Sequence, residues 1–401
     1  MSKKDNVVME PKYRFPEFLN CLDWKKEELN KLGKVISGLT YSPQDIREDG
    51  LLVLRSSNIK DNVIDLNDTV YVRSDVKGYT LTEENDILIC VRNGSKSLIG
   101  KNALIPKGMP LCTNGAFMIV FRANNPCFAF QLFQSKQFDK QVKADLGATI
   151  NSINSKQLKK YIFAIPQKKK EQEKIADCLS SVDELISAEA KKLSLLNDYK
   201  KGWMQKLFPA EGKTVPEWRF PEFKDSVEWE ENIMDDIVIC NNSTISLNKI
   251  ELKQSGYPVY GADGVVGNID NFQQSEKYIS MVKDGSGVGR LNLNTSHSSV
   301  LGTLSCLKSK NKTKYLLEWI YYYLNSIDFS VYVKGSGIPH IYYSDYKNRI
   351  ISVPSLPEQQ KIADFLSGID ELISRQKDKI EELKQHKKAL MQGLFPVVEE
   401  V

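Results

Sequence analysis

Two short stretches carry the side chains best placed for chemistry. ICVRNGS (89–95) and SMVKDGS (280–286) each run from an apolar strand-like segment into a basic residue, then Asn or Asp, Gly and Ser. Arg92 and Lys283 supply positive charge, while Gly94 and Gly285 let the backbone approach a ligand closely, a combination suited to phosphate contact. Asn93, Ser95, Lys96, Ser286 and Arg290 place further polar and basic groups beside the two turns. A separate cluster, Arg55, Ser56, Asn58 and Lys60, holds residue types that read base edges or phosphates. Tyr257 and Tyr260 of GYPVYG read first as core or turn aromatics and complete the set of candidate contacts. Taken singly, such strand-turn stretches are also what ordinary hairpins and loops look like.

Other chemistries find little support. There are three histidines, none in HExxH spacing, and seven cysteines scattered without a CxxC pair, so no metal site and no histidine-based triad is expected. GSGVG (285–289) lacks the GxGxxG order of a dinucleotide site, and no GxxxxGK[ST] motif occurs. No run approaches the 18 apolar residues of a membrane span and no secretory signal precedes the first domain, so a cytoplasmic protein with no membrane partner is expected. The formal charge of +4 is too small to argue for nucleic acid alone. Residues 151–210 nevertheless carry 12 Lys and no Arg against 7 acidic residues, a local basic excess.

The elements that must position these residues are written twice. RFPEF occurs at 14–18 and again at 219–223, and the same offset of 205 carries Trp24 onto Trp229. EQEKIADCLSSVDELIS (171–187) matches EQQKIADFLSGIDELIS (358–374) at 13 of 17 positions, and QKLFP (205–209) matches QGLFP (392–396) at the same offset of 187. A weaker match pairs residues 147–166 with 335–354, each ending in an apolar run and a proline that predict a strand before a helix. Between these flanks the two halves have little convincing similarity but a similar order of elements, with a helix expected over 128–142 and another over 313–327.

Heptads through the first copied helix place Ile175, Leu179, Val182, Ile186, Glu189, Leu193 and Leu196 on one seam. The second gives Ile362, Leu366, Ile369, Ile373, Gln376, Ile380 and Leu383, with polar interruptions at matching places. A seam this narrow over some 36 residues fits a coiled coil. Antiparallel pairing within the chain keeps the two preceding domains from colliding and sets Glu189 opposite Gln376 as a polar layer. The unit is also circular: the C-terminal LFP stops where the N-terminal RFPEF resumes, so the chain ends are expected close together.

The combination of RFPEF openings, IP or VP followed by EQxKIAxxL, DELIS and closing LFP, each present twice around dissimilar domains, resembles the specificity subunit of Type I restriction and modification systems over essentially the whole chain. The resemblance implies an α+β fold: two mixed α/β target-recognition domains related by pseudo-twofold symmetry and separated by two long antiparallel coiled-coil helices. The corresponding segments are 1–166, first recognition domain; 167–210, central spacer helix; 211–354, second recognition domain; and 355–401, C-terminal spacer helix. It further implies double-stranded DNA with a bipartite site as target. The implied partners are two methyltransferase subunits that bind S-adenosylmethionine and restriction endonuclease/translocase subunits that use ATP and Mg²⁺. No NPPY or DPPY segment for adenine methylation is present, and no catalytic residue is expected in this chain. A stand-alone DNA-binding regulator and a coiled-coil scaffold are the alternatives.

Overall fold

The computed structural model describes residues 10–146 and 151–396. They form two compact units, residues 10–189 with 379–396 and residues 190–378, so packing divides each long helix near its middle. All seven cysteines are free thiols, and Cys306 is buried deeply enough in the second unit that its thiol is pushed up to about 12.

Both units repeat one plan. In the first, strand Lys25–Glu28 pairs antiparallel with Ile162–Ile165; in the second, Glu230–Ile233 pairs with Ile350–Val353. The registers correspond, Lys25 facing Ile165 and Glu230 facing Val353. A four-stranded sheet follows in each. Gly33–Ser37, Met118–Ala123, Ile87–Cys90 and Asn102–Leu104 lie in that order in the first unit, and Val238–Asn242, Leu304–Ser309, Tyr278–Val282 and Leu291–Asn294 in the second. Each unit also pairs two strands in parallel, Leu51–Leu54 with Cys112–Asn114 and Tyr257–Gly261 with Ser299–Val300. The two variable regions therefore share the central sheet order and the parallel pairing despite their unlike sequences, while the second sheet has four strands in the first unit and three in the second.

Helices pack on these sheets, with one departure from expectation. The helix foreseen over 128–142 is two helices, Pro126–Leu132 and Lys136–Asp145. Ser135 breaks it: its hydroxyl accepts from the backbone N–H of Phe138 at 3.4 Å and so caps a new helix start. The second unit keeps a single helix, Leu317–Asn325.

The long helices span Lys169–Leu207 and Leu356–Leu394, 39 residues each, or about 58 Å at 1.5 Å per residue. Each starts shortly after the proline that ends a strand, carries a Glu in its first turn where the helix dipole favours negative charge, and stops just before the proline of LFP. Within each unit their halves run antiparallel. Lys387 pairs with Asp183 and Lys379 with Glu189 in the first unit; Lys200 pairs with Asp370 and Trp203 packs edge-on against Phe365 in the second. Lys387–Asp183 and Lys200–Asp370 are the same contact in the two copies. The seam is buried or half-buried throughout: Ile175 and Leu179 enter one core with Trp24 and Phe395, while Ile362, Leu366, Ile369 and Ile373 enter the other with Trp229 and Trp319. Glu189 and Gln376 are buried, one in each unit.

The repeated motifs prove to be one clamp built twice. Arg14 of RFPEF makes a bidentate ion pair with Glu171, at 2.8 and 3.0 Å, and Arg219 makes the same pair with Glu358, at 2.9 and 2.7 Å. All four side chains are under 10% exposed. The carboxylates raise both guanidinium pKa values further above their ordinary one. The opening of each unit is also hydrogen-bonded to the end of a long helix. Trp218 N–H donates to the Lys206 carbonyl at 3.0 Å, and Tyr13 N–H donates to the Gly393 carbonyl at 2.8 Å. The second bond joins segments near the two ends of the described chain where, in the second unit, residues 207–217 make the same connection covalently, which is the closure the circular repeat predicts. The termini themselves, 1–9 and 397–401, lie outside the described residues.

Candidate nucleic-acid interface

In the first unit the two candidate clusters come together. Strand Ile87–Cys90 delivers Arg92 and Asn93, strand Leu51–Leu54 delivers Arg55 and Ser56, and the Asn93 amide donates to the Ser56 hydroxyl at 3.0 Å. Asn93 also accepts from the Ser95 N–H at 3.0 Å, which tightens the turn and leaves Ser95 and Lys96 exposed. The re-entering segment closes the site from the other side: Ile153 N–H donates to the Val91 carbonyl at 2.8 Å and the Asn151 amide to Gly94 at 3.3 Å. The weak match noted at 147–166 is thus the strip that holds the basic turn. Its residues 147–150 lie outside the described residues.

Two members of the list have other work. Asn58 is fully buried, with its side-chain oxygen accepting from the Arg55 N–H and its amide donating to the carbonyls of Asp65 and Asp68. Its amide and carbonyl are therefore spent on shaping the loop instead of facing a ligand. Lys60 is paired with Asp65, whose carboxyl it holds below the usual range.

In the second unit, strand Tyr278–Val282 leads into Lys283, whose ammonium donates to the Asn242 side chain at 3.4 Å. Here too the re-entering strip closes the turn: Ile341 N–H donates to the Lys283 carbonyl at 2.9 Å and Gly285 N–H to Pro339 at 2.9 Å. Ser286 is exposed. Arg290 reaches from the end of the glycine turn to the Ala262 carbonyl at 3.2 Å and to Asp263, so the turn meets the strand that carries Tyr257 and Tyr260. Tyr260 packs against the core cluster of Tyr278, Val300 and Leu304, whereas Tyr257 lies outside it. Tyr257 is exposed and stacks edge-on against Phe272 at 4.8 Å, and half-buried Tyr260 shares a hydrogen bond with Thr295 at 3.1 Å.

Sequence reasoning passed over several neighbours. Phe117 is 56% exposed, its ring lies 5.5 Å from the Arg92 guanidinium, and its carbonyl accepts from the Arg92 N–H. Phe272 and His297 extend the aromatic face at Tyr257, with rings 4.7 Å apart. An aromatic in a turn such as NGAF was the available signal. The remaining features are basic residues on strand ends, exposed aromatics and a glycine turn at each site, which can contact phosphates and base edges. Among the described residues no group of three His, Cys, Asp or Glu is placed to hold a metal ion, and no helix is long and apolar enough to cross a membrane.

Comparison with known proteins gives one consistent result. A family model described as Type I restriction modification DNA specificity domain matches residues 22–198 and 226–385. The chain is 29% identical over 404 residues to the protein described as the MjaX type I restriction enzyme specificity subunit of Methanocaldococcus jannaschii, with 93% of each chain covered. It is 23% identical to the EcoKI specificity subunit of Escherichia coli strain K12, covering 84% of this chain and 80% of that one. Among solved structures, a Type I restriction-modification S subunit from M. genitalium superposes with a TM-score of 0.64 at 18% identity, covering 98% of this chain and 100% of that one.

Proposed function

Because the chain belongs to the Type I restriction modification DNA specificity domain family, we propose that it is the sequence-reading subunit of a Type I restriction-modification complex. In this reading each unit recognises one half of an asymmetric, bipartite double-stranded DNA site, and the chain directs adenine methylation or restriction carried out by its partners. Those partners are two methyltransferase subunits and the restriction endonuclease/translocase subunits; S-adenosylmethionine, ATP and Mg²⁺ belong to them, and this chain is non-catalytic. The long helices serve as the spacer between half-sites, with Glu189 and Gln376 as polar positions that fix their register.

The observation that supports this reading best is the duplicated frame with unlike contents. The clamp, the paired edge strands and the long helices repeat in register, while the turns at Arg92 and Lys283 differ in charge geometry and neighbours. A symmetric frame suits partners present in two copies, and unlike sites suit unlike half-site sequences.

Replacing Arg92 or Lys283 by alanine in the complex with the methyltransferase subunits tests it. Each change is expected to weaken DNA binding several-fold at low salt and to reduce the salt dependence by about one phosphate contact. Fluorescence anisotropy over a salt series measures both quantities, and unchanged affinity removes the residue from the interface. A chain that binds its site as tightly alone as with methyltransferase subunits points to a stand-alone regulator, and one without sequence preference to a scaffold.

A further inference from the structure

One arrangement occurs in both units although no sequence match connects the residues that build it. In the first unit Arg55 follows directly on the strand Leu51–Leu54 that makes the parallel pairing. Its guanidinium Nη2 is 2.8 Å from a carboxylate oxygen of Asp68. In the second unit the corresponding strand, Tyr257–Gly261, is followed by Ala262 and Asp263, with no arginine. Arg290 arrives there instead from the glycine turn, donating to the Ala262 carbonyl and to the Asp263 carboxylate. Gly287, at φ +155° in a conformation that favours glycine, lies beneath the guanidinium, an added Cβ standing at contact distance, 3.4 Å, from the guanidinium carbon. Each site therefore presents one arginine beside the end of its parallel-paired strand, held by one aspartate.

These pairs do little for stability. Arg55 and Arg290 are 34% and 50% exposed and Asp68 and Asp263 are 63% and 90% exposed, so water screens both contacts. Their geometry has a different use. An arginine left free samples many rotamers and binds any phosphate; one that donates through a single terminal nitrogen to a carboxylate is biased toward one orientation, and its two terminal nitrogens still present a planar fork of N–H groups. Guanine offers two acceptors on its major-groove edge that match such a fork. The neighbouring carboxylate also repels backbone phosphates, which lowers affinity for any sequence that does not supply the compensating base contact.

We propose that Asp68 and Asp263 are positioning residues for base readout, each orienting one arginine, Arg55 or Arg290, toward a base edge while turning phosphates away. This rests on the DNA-recognition reading above and adds which residues create selectivity. The arginines are the contacting groups, and the aspartates act through them.

The test uses the full chain in complex with its methyltransferase subunits and compares wild type with Asp68→Asn, Asp263→Asn, Asp263→Glu and Arg290→Ala. Three quantities are read: the set of adenines methylated genome-wide, affinity for a duplex carrying the site, and affinity for a duplex lacking it across a salt series. The isosteric Asn changes are expected to raise affinity for the unrelated duplex several-fold and steepen its salt dependence by up to about one contact. They are also expected to spread methylation to sites differing at one base pair, in one half-site for Asp263→Asn and in the other for Asp68→Asn. Asp263→Glu retains wild-type selectivity. Arg290→Ala weakens binding to the correct site about 5- to 150-fold, the range of one bidentate base contact. A folding defect loses methylation and does not extend it to new sites, so the gain is diagnostic. Wild-type selectivity together with wild-type non-specific affinity in both Asn variants overturns the proposal, as does an Arg290→Ala complex with unchanged selectivity. A wild-type complex with no sequence preference contradicts instead the reading on which the proposal rests.

Discussion

Replacing Glu358 with alanine is expected to destabilise the second unit by about 3–5 kcal/mol, because it leaves the buried Arg219 guanidinium without its counter-charge. The pair is bidentate, and its arginine side chain is 8% exposed, so water cannot replace the missing carboxylate well. Glu171 to alanine is expected to cost the first unit at least as much. Glu171 also accepts from the Trp24 indole N–H at 3.1 Å, whereas the Trp229 indole N–H has no hydrogen-bond partner among the described residues. Removing both charges of one clamp, as in Arg219→Met with Glu358→Leu, is expected to cost less than removing either alone, since no buried charge is then left uncompensated. Urea unfolding followed separately for the two units measures all three. A loss below about 1 kcal/mol for Glu358→Ala contradicts the clamp as described.

A heptad inserted into each long helix is expected to lengthen the unread spacer of the DNA site by about 3 bp and leave both half-sites unchanged. Seven residues add about 10 Å of helix and preserve the 3-4 spacing of the seam. The insertions belong after residues 189 and 378, where each helix passes from one unit to the other. Insertion into one helix alone breaks the match between antiparallel partners and is expected to abolish assembly of a functional complex. Mapping of methylated adenines gives the spacer directly. An unchanged spacer with both insertions shows that the helices do not set the half-site separation.

Much of the frame was readable from the chain alone, because it is written twice. Copied segments at constant offsets cannot differ much in structure, so the helix lengths, the strand before each proline and the seam positions follow from pattern and duplication together. Even the bond from Tyr13 to Gly393, near the two ends of the described residues, follows from where the repeat unit is cut. The variable regions were less legible. Their parallel pairings join strands some 40 to 60 residues apart, and local residue preference carries no information on such partners. The helix break at Ser135 was missed because the apolar pattern continues across it while a single hydroxyl ends it.

At the candidate site the limits are of another kind. Residue type suggested Asn58 as a contact, but its burial depends on loop carbonyls that only the folded chain supplies. Phe117 was overlooked because a lone aromatic in a turn has no spacing to mark it. Arg55 and Arg290 could be named as basic residues, yet their shared relation to an aspartate comes from unmatched sequence positions and emerges only in three dimensions.

The most direct measurement is a domain exchange read by methylation mapping. Residues 234–349 are replaced by the corresponding segment of a relative with a different site, and methylated adenines are mapped in cells carrying the whole complex. The expected result is a recognition sequence in which one half changes, with the other half and the spacer length retained. A change in both halves, or in neither, contradicts the claim that each unit reads its own half-site.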